Sequence, residues 1–184
     1  RVTGKGGHGA IPDAAIDPIV AASAIVGALQ TVVSRNTSPL ESAVVSVCRF
    51  QAGATWNVIP DHAELEGTVR AFDDEVRRRI PERIRRVAEG VAAGFGASAE
   101  LVWTEGQAFV NNDPALADLM ARAAEELGLR VVEARPTTAG EDFSVYQERV
   151  PGCFIWMGTS GTEEWHHPKF TLDEDALPLG AALF

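Results

Sequence analysis

The stretch HAELEGTVRAF, residues 62–72, alternates apolar and polar side chains along most of its length. The apolar side comprises Ala63, Leu65, Gly67 and Val69, and the polar side comprises His62, Glu64, Glu66, Thr68 and Arg70. Alternation with a period of two predicts a β-strand that buries one face only. Its polar face is therefore expected to meet solvent or a functional site rather than a core.

The segments on either side of this strand predict a βαββαβ order. Strands are expected at Arg1–Thr3, at the valine-rich Ala43–Gln51 and at Ala97–Thr104. A helix is expected from Asp17-Pro18 to about Ser34, since an aspartate followed by proline is typical of a helix start. Its apolar stripe, read from spacings of three and four, is Ile19, Ala22, Val26, Leu29 and Val33.

A second amphipathic helix is predicted around residues 76–91, where Pro81 either kinks the helix or begins it. The arginines at 77–79 and 83–86 are interpreted as its solvated face, offset by nearby glutamates. This order predicts a ferredoxin-like half-sandwich with helices on one face of the sheet. The other face or an edge strand then remains available for pairing with a second copy.

A second unit is predicted after a transition at residues 106–113. Asp113-Pro114 starts another helix, and the short apolar runs Leu129–Glu133 and Cys153–Met157 are expected to be buried strands of an α/β domain. Two clear strands are few for a complete domain of this kind. Because the chain starts within a strand and stops inside an apolar run, we expect it to be part of a longer protein.

Composition excludes several functional classes for this 184-residue chain. Its net charge of -10 argues against a nucleic-acid partner, because phosphate binding needs lysine and arginine patches. No apolar run reaches the roughly 20 residues of a membrane helix, and no signal peptide is recognised, so a cytoplasmic protein is expected. Cys48 and Cys153 lie in apolar runs and are expected to be buried free thiols.

Two glycine- and proline-flanked histidine motifs are candidates for chemistry. His8 lies in GKGGHGAIP, residues 4–12, where it is either a surface turn residue or a donor to an oxyanion formed during acyl transfer. His166 and His167 precede a proline in a loop after a predicted buried strand. Either one is a candidate metal ligand or an ordinary hydrogen-bonded loop residue, and at most one of the two can bind a given ion directly.

Three further positions have both structural and functional interpretations. Asn57 enters a turn, where asparagine usually bonds its own backbone. Arg70 either pairs with Glu64 or Glu66 or clamps a substrate carboxylate. In AGEDF, residues 139–143, one of the two carboxylates is expected to cap a helix, and the other can orient a metal-binding histidine.

Five motifs, in this order, resemble the metal-dependent aminoacylase and carboxypeptidase family. They are GKGGHGAxP at 4–12, GxxxNVIP at 53–60, GTVR at 67–70, AGEDF at 139–143 and HxP at 166–168. The chain is most similar to the amidohydrolase branch, which includes hippurate hydrolases, N-acyl-amino-acid deacylases and hydrolases of indoleacetyl-amino-acid conjugates. The resemblance covers essentially the whole chain.

The resemblance implies a role for five residues. His166 matches the position of a metal ligand, which selects it over its neighbour. His8 matches a lid histidine that reaches into the site of a second subunit and stabilises the oxyanion there. Asn57 and Arg70 match positions that bind the carboxylate end of the substrate, and Gly140 matches a loop that lines the same pocket.

The family resemblance also implies an architecture and an activity. Residues 1–106 would be a ferredoxin-like lid that mediates homodimerisation, and residues 107–184 the C-terminal part of an α/β catalytic domain. The implied reaction is hydrolysis of the amide bond of N-acyl amino acids with two divalent ions, zinc or manganese. The remaining ligands and a general-base glutamate would lie upstream. A dipeptidase or carboxypeptidase, or an inactive module for dimerisation and substrate gripping, are the alternatives.

Overall fold

The computed structural model describes every residue from Arg1 to Phe184. The chain divides into two compact units, Arg1–Phe109 and Val110–Phe184. All strands belong to the first unit, whereas the second contains helices joined by irregular segments. None of the helices combines the length and the apolar character that crossing a bilayer requires.

The first unit is built on a four-stranded antiparallel sheet with two helices packed against it. Its elements are β1 (Val2–Thr3), β2 (Gly7–His8), α1 (Pro18–Ser34), β3 (Ala43–Ala52), β4 (Val58–Ile59), β5 (His62–Ala71), α2 (Asp74–Gly94) and β6 (Ser98–Ala99). The strand order is β3-β5-β1-β6, so the first strand of the chain lies inside the sheet between two later ones. This arrangement confirms the predicted ferredoxin-like order.

The alternation predicted for β5 is confirmed by its burial. Ala63 and Ala71 are buried, and Leu65 and Val69 pack against the same core. Their polar neighbours are partly or fully exposed along the strand, as expected for the opposite face of a sheet covered on one side. The sequence pattern therefore identifies both the strand and the side that the helices cover.

The last strand is shorter than predicted. The sequence predicted Ala97–Thr104, whereas β6 is only Ser98–Ala99. It pairs with β1, and the pairing ends where Glu100 N donates to Arg1 O at 2.9 Å. A strand extends only as far as the neighbour that receives its hydrogen bonds.

Helix α1 buries a different stripe from the one that its sequence spacing predicted. Asp17 Oδ1 caps the helix by accepting a hydrogen bond from Ile19 N at 2.8 Å. The buried residues are Pro18, Ala21, Ala22, Ile25, Leu29 and Val32, so the prediction was right only for Ala22 and Leu29. Because α1 is apolar on most sides, spacing alone does not select the face that packs on the sheet.

Helix α2 carries the arginine cluster on an exposed side. It begins after the cap residue Asp73 and continues through Pro81, so the alternative that this proline begins the helix is wrong. Glu82 pairs with Arg85 and Arg86 at 2.8 and 2.6 Å. Hydrogen bonds from Arg85 and then Arg86 lower the pKa of Glu82 to about 2. The C-terminal part of the cluster is thus paired within the helix, as the interpretation of a solvated face requires, whereas Arg79 pairs outside the helix with Glu41.

A bulge in β3 corrects the expectation that both thiols are buried. The register shifts between Val47 and Arg49, which leaves Cys48 as an extra residue with an exposed side chain. Cys153 is partly buried. Burial and then the charge of Asp113 raise the pKa of the Cys153 thiol.

The second unit contains three helices, and the two strands predicted in it are wrong. The helices are α3 (Pro114–Glu126), α4 (Phe143–Gln147) and α5 (Ala176–Leu183). Leu129–Glu133 and Cys153–Met157 form no ladder, and within the first of these runs Val132 is 64% exposed. An apolar run indicates a tendency to be buried, but a strand also needs a neighbour with which to exchange hydrogen bonds.

Replacing Gly4 by alanine is expected to destabilise the first unit by about 2 kcal/mol, because overpacking forces the backbone to shift. A Cβ atom at Gly4 would lie 2.1 Å from Ile16 O. The matched control is Gly27→Ala in α1, where nothing lies within 4 Å of an added Cβ. That change should stabilise by up to about 1 kcal/mol. Urea unfolding of both variants measures the two free energies, and equal effects would contradict the packing argument.

Candidate functional site

His8 and Asn57 meet on a two-stranded ribbon that is separate from the main sheet. The ribbon is formed by β2 and β4, with His8 opposite Val58 and Gly7 opposite Ile59. One residue beyond this pairing, Gly9 N donates to Asn57 O at 2.8 Å. The structure therefore brings together two candidates that lie far apart in the sequence.

The ring of His8 is exposed and its tautomer is fixed by the backbone. Ala10 N donates to His8 Nδ1 at 3.1 Å. A backbone N–H can only donate, so Nδ1 accepts and the proton of the neutral imidazole is on Nε2. His8 therefore presents an outward N–H donor, which is the group that an oxyanion requires.

Asp61, which the sequence analysis did not single out, holds the glycine-rich stretch at the base of the ribbon. Its carboxylate Oδ1 accepts from Gly6 N at 2.9 Å, and its carbonyl accepts from Gly4 N at 2.8 Å. An added Cβ at Gly6 would lie 2.8 Å from Ile59 O, which explains why glycine suits this position. An aspartate directly after a proline is a turn signal, and Pro60-Asp61 carries it.

Asn57 does not use its side chain to bond its own backbone, which was the structural alternative. Thr55 Oγ1 donates to Asn57 Oδ1 at 3.3 Å. The side chain is partly exposed. Its amide nitrogen Nδ2 is oriented by this contact and can donate to an incoming acceptor.

Arg70 lies at the other end of β5 and has no carboxylate partner. Glu66 pairs instead with Arg49, and Glu64 lies 4.0 Å from His62, so neither makes the ion pair that the sequence analysis considered. Arg70 Nη1 donates only to the neighbouring carbonyl of Val69, at 2.8 Å. Eight residues of extended strand separate Arg70 from the ribbon end of β5, or about 26 Å.

A groove of about 370 Å³ lies beside the ribbon, on the first unit. Its lining includes Val58 of the ribbon, the nearby Thr55, and Asp61, His62 and Glu64 at the start of β5, but neither His8 nor Asn57. No group of three or more histidine, cysteine, aspartate or glutamate side chains in the chain is arranged to hold a metal ion. The groove is therefore not a metal site by itself.

Gly140 lies in the second unit, in an exposed irregular segment that leads to α4. Glu141 supplies the expected cap at this helix: its Oε1 accepts from Phe143 N at 3.1 Å, and its carbonyl accepts from Ser144 Oγ at 2.8 Å. Of the two carboxylates in this motif, Glu141 is thus occupied at the helix start.

His166 and His167 differ in what their rings contact. His166 is exposed, with a backbone φ of 66° in the left-handed region. His167 Nδ1 accepts from Lys169 N at 3.2 Å. A metal ligand needs a free imidazole lone pair, and the exposed His166 fits that requirement better. The chain holds no cluster of three such ligands, so a metal site at His166 would need ligands from outside these residues.

Comparisons with known proteins identify the family to which the chain belongs. A family model for peptidase family M20/M25/M40 matches residues 6–184. An N-acetylcysteine deacetylase of Bacillus subtilis (strain 168) is 56% identical over 183 residues, which are 100% of this chain and 48% of that protein. An N-acetyldiaminopimelate deacetylase of Streptococcus pneumoniae (strain Hungary19A-6) is 42% identical over 184 residues, 99% of this chain and 49% of that protein.

A solved structure shares the fold over the whole chain. It is that of a dinuclear metal-binding peptidase of the M20 family from Bacillus subtilis, with a TM-score of 0.78 and 49% identity, covering 100% of this chain and 46% of that one. The chain spans about half the length of the curated relatives it matches. On the extent of the family match and the identity to these relatives, the chain belongs to peptidase family M20/M25/M40.

Proposed function

We propose that the full-length protein is a metal-dependent amidohydrolase that cleaves the amide bond of N-acyl amino acids. The observation that carries this proposal is the exposed His8 with its Nε2 proton directed outward, on the same ribbon as Asn57. Such a donor stabilises the negative charge that develops on the acyl oxygen during hydrolysis. The names of two deacetylases to which the chain is similar support the same chemistry.

Separate roles are proposed for two parts of the chain. Residues 1–106 act as a lid and dimerisation domain, and residues 107–184 form the C-terminal part of the catalytic domain. His166 would hold one of two divalent ions, zinc or manganese, and the ions would supply Lewis-acid chemistry for hydrolysis of the amide bond. The other ligands and the general base come from the rest of the full-length protein.

The substrate is held by its carboxylate end. Asn57 Nδ2 and the unpaired guanidinium of Arg70 both donate to carboxylate oxygens. About 26 Å of strand separates them, so we assign them to different sites of a homodimer: one site receives the ribbon of one subunit and the Arg70 end of the other. Gly140 lines the same pocket. The edge strand β3, paired only with β5 within the chain, is available for the contact between lids.

The acyl group is expected to be small. The relatives' names specify N-acetyl substrates, N-acetylcysteine and N-acetyldiaminopimelate. A screen of N-acetyl, N-benzoyl and indoleacetyl amino acids and of dipeptides, with the full-length protein and added zinc or manganese, tests this. The free amino acid is expected to be released fastest from the N-acetyl series. Hydrolysis of dipeptides alone would favour the peptidase alternative, and no hydrolysis of any would favour an inactive module.

Replacing Arg70 by alanine is expected to raise KM selectively for substrates with a free carboxylate. A lost charged hydrogen bond costs about 2 kcal/mol, which corresponds to about a 30-fold change. Steady-state kinetics on an N-acetyl amino acid and on its carboxamide measure the selectivity. Arg49→Ala is the matched control, since Arg49 is on the same strand pair but engaged by Glu66. Equal losses on both substrates would exclude a carboxylate contact.

A further inference from the structure

His166 has a backbone conformation that an L-residue adopts at a cost. Its φ of 66° lies in the left-handed region, which is unfavourable for a residue with a Cβ atom. Such a conformation persists only where the surrounding structure fixes it. The neighbours of His166 should therefore include the groups that hold it.

A turn around His166 provides these groups, and His167 is at its centre. His167 N donates to Glu164 O at 3.1 Å, and Phe170 N donates to His167 O at 2.9 Å. In addition, Lys169 N donates to the imidazole Nδ1 of His167 at 3.2 Å. The side chain thus accepts from the backbone two residues ahead, as aspartate and asparagine do in tight turns.

The Nδ1 atom of His167 has one other neighbour. Glu163 Oε2 lies 3.5 Å away. The shorter contact is the amide of Lys169, and an amide needs a lone pair on Nδ1, so the proton of the neutral ring is on Nε2. The ring therefore acts in the turn as a hydrogen-bond acceptor, and Glu163 takes no part in this hydrogen bond.

An aromatic pair holds the residue on the other side of His166. Trp165 packs edge-on against Trp156, with ring centroids 4.7 Å apart, and Trp156 packs in the same way against Phe154 at 5.4 Å. Aromatic pairs of this geometry are favourable beyond the area that they bury. His166 is thus fixed from both sides, by the packing of Trp165 and by the acceptor of His167.

We propose that His167 is a positioning residue that holds the His166 turn through its Nδ1 acceptor and thereby aims the metal-binding imidazole. The inference rests on the proposed function, in which His166 binds a metal ion. It gives His167 a role that differs from that of a ligand, since its effect on the metal passes through the backbone. Groups that orient ligands in this way typically change metal affinity by about 10- to 100-fold.

The test measures zinc affinity of the full-length protein by competition with a chromophoric chelator. His167→Ala, which lacks the acceptor, is expected to weaken binding by about 10- to 100-fold. His167→Asn retains an oxygen acceptor at nearly the same reach and is expected to restore most of the affinity. His167→Gln, one methylene longer, should bind as weakly as the alanine variant. Glu163→Gln is the matched control and should bind like the wild type.

Three outcomes would overturn the proposal. Unchanged affinity in both His167→Ala and His167→Gln would remove the positioning role. If His167→Asn binds zinc as weakly as His167→Ala does, the imidazole of His167 itself binds the metal. Loss of affinity in Glu163→Gln would assign the effect to that carboxylate. The thermal melting of the metal-free proteins verifies folding, and His167→Gln and His167→Asn decide the matter if the alanine variant does not fold.

The same measurements separate this inference from the proposed function. If His166→Ala binds zinc like the wild type, the ligand assignment in the proposed function fails. If His166→Ala loses zinc while the His167 variants retain it, only the positioning role of His167 fails.

Discussion

Replacing His8 by alanine in the full-length protein is expected to lower kcat by at least about 100-fold, the effect of removing one oxyanion donor. The donor is Nε2–H, which the contact between Ala10 N and His8 Nδ1 directs outward. A donor that acts on developing charge stabilises the transition state more than the bound substrate, so KM should change little. Steady-state kinetics on the best substrate from the screen measure both constants.

His62→Ala is the matched control for this prediction. His62 lies in the same unit, at the start of β5, and its side chain is partly exposed. No step of the proposed reaction uses this side chain. Its kcat should match that of the wild type. A His8→Ala enzyme with unchanged kcat would exclude the oxyanion role.

Mixed dimers test whether His8 serves the neighbouring subunit. When His8→Ala and His166→Ala proteins are mixed and allowed to exchange subunits, half of the dimers are mixed, and each contains one site with both histidines. About a quarter of the wild-type activity should then return, as expected for a symmetric dimer. If His8 acts in its own subunit, both sites of every mixed dimer lack a histidine and activity stays at the level of the separate variants.

Replacing His166 by alanine is expected to lower metal affinity by at least about 100-fold, more than the loss of a group that only orients a ligand. The ring of His166 is exposed, whereas the ring of His167 is engaged by the turn. Elemental analysis of protein purified with limiting zinc or manganese should find a reduced metal-to-protein ratio. Removing metal from the wild type with a chelator should abolish activity in the same way.

The matched control for metal content is again His62→Ala, which should retain the full complement. Full metal occupancy in His166→Ala would move the ligand role to another residue. Loss of metal without loss of activity would contradict the metal-dependent reaction itself.

The sequence predicted most of the first unit because its signals are local. The alternation of residues 62–71 identified the long central strand and its buried side, and Asp17 and Asp113 identified two helix starts. Two features depended on tertiary structure and were missed. Helix α1 carries apolar residues on most sides, so its sequence did not indicate which stripe is buried. The bulge at Cys48 changes the register of a strand whose sequence looks regular.

The second unit could not be predicted to the same degree. The apolar runs at 129–133 and 153–157 predicted buried strands, but a ladder depends on neighbours that no local pattern identifies. Both runs include exposed side chains, among them Val132 and Trp156.

The sequence predicted which residues belong to the candidate site, but it did not predict how these residues are arranged in space. His8 and Asn57 were predicted as separate candidates. They lie close together because of a ribbon with two residues in each strand, and strands this short leave no recognisable pattern in the sequence. Arg70 has no carboxylate partner because Glu66 forms its ion pair with Arg49 on the neighbouring strand. The turn in which His167 accepts from Lys169 N was not predicted, because serine, threonine, asparagine and aspartate, rather than histidine, are the usual acceptors in such turns.

Because the ribbon is separate from the four-stranded sheet, its residues can be substituted independently of the sheet. The ribbon shares no ladder with the four-stranded sheet, and its tip carries Trp56, whose surface is 94% exposed. Substitutions at such a tip disturb few packed neighbours, so they cost little stability. Residues at the ribbon tip can therefore change while Asp61 and the sheet keep the ribbon in register, so the surface that the proposed function assigns to substrate contact can vary without loss of the fold.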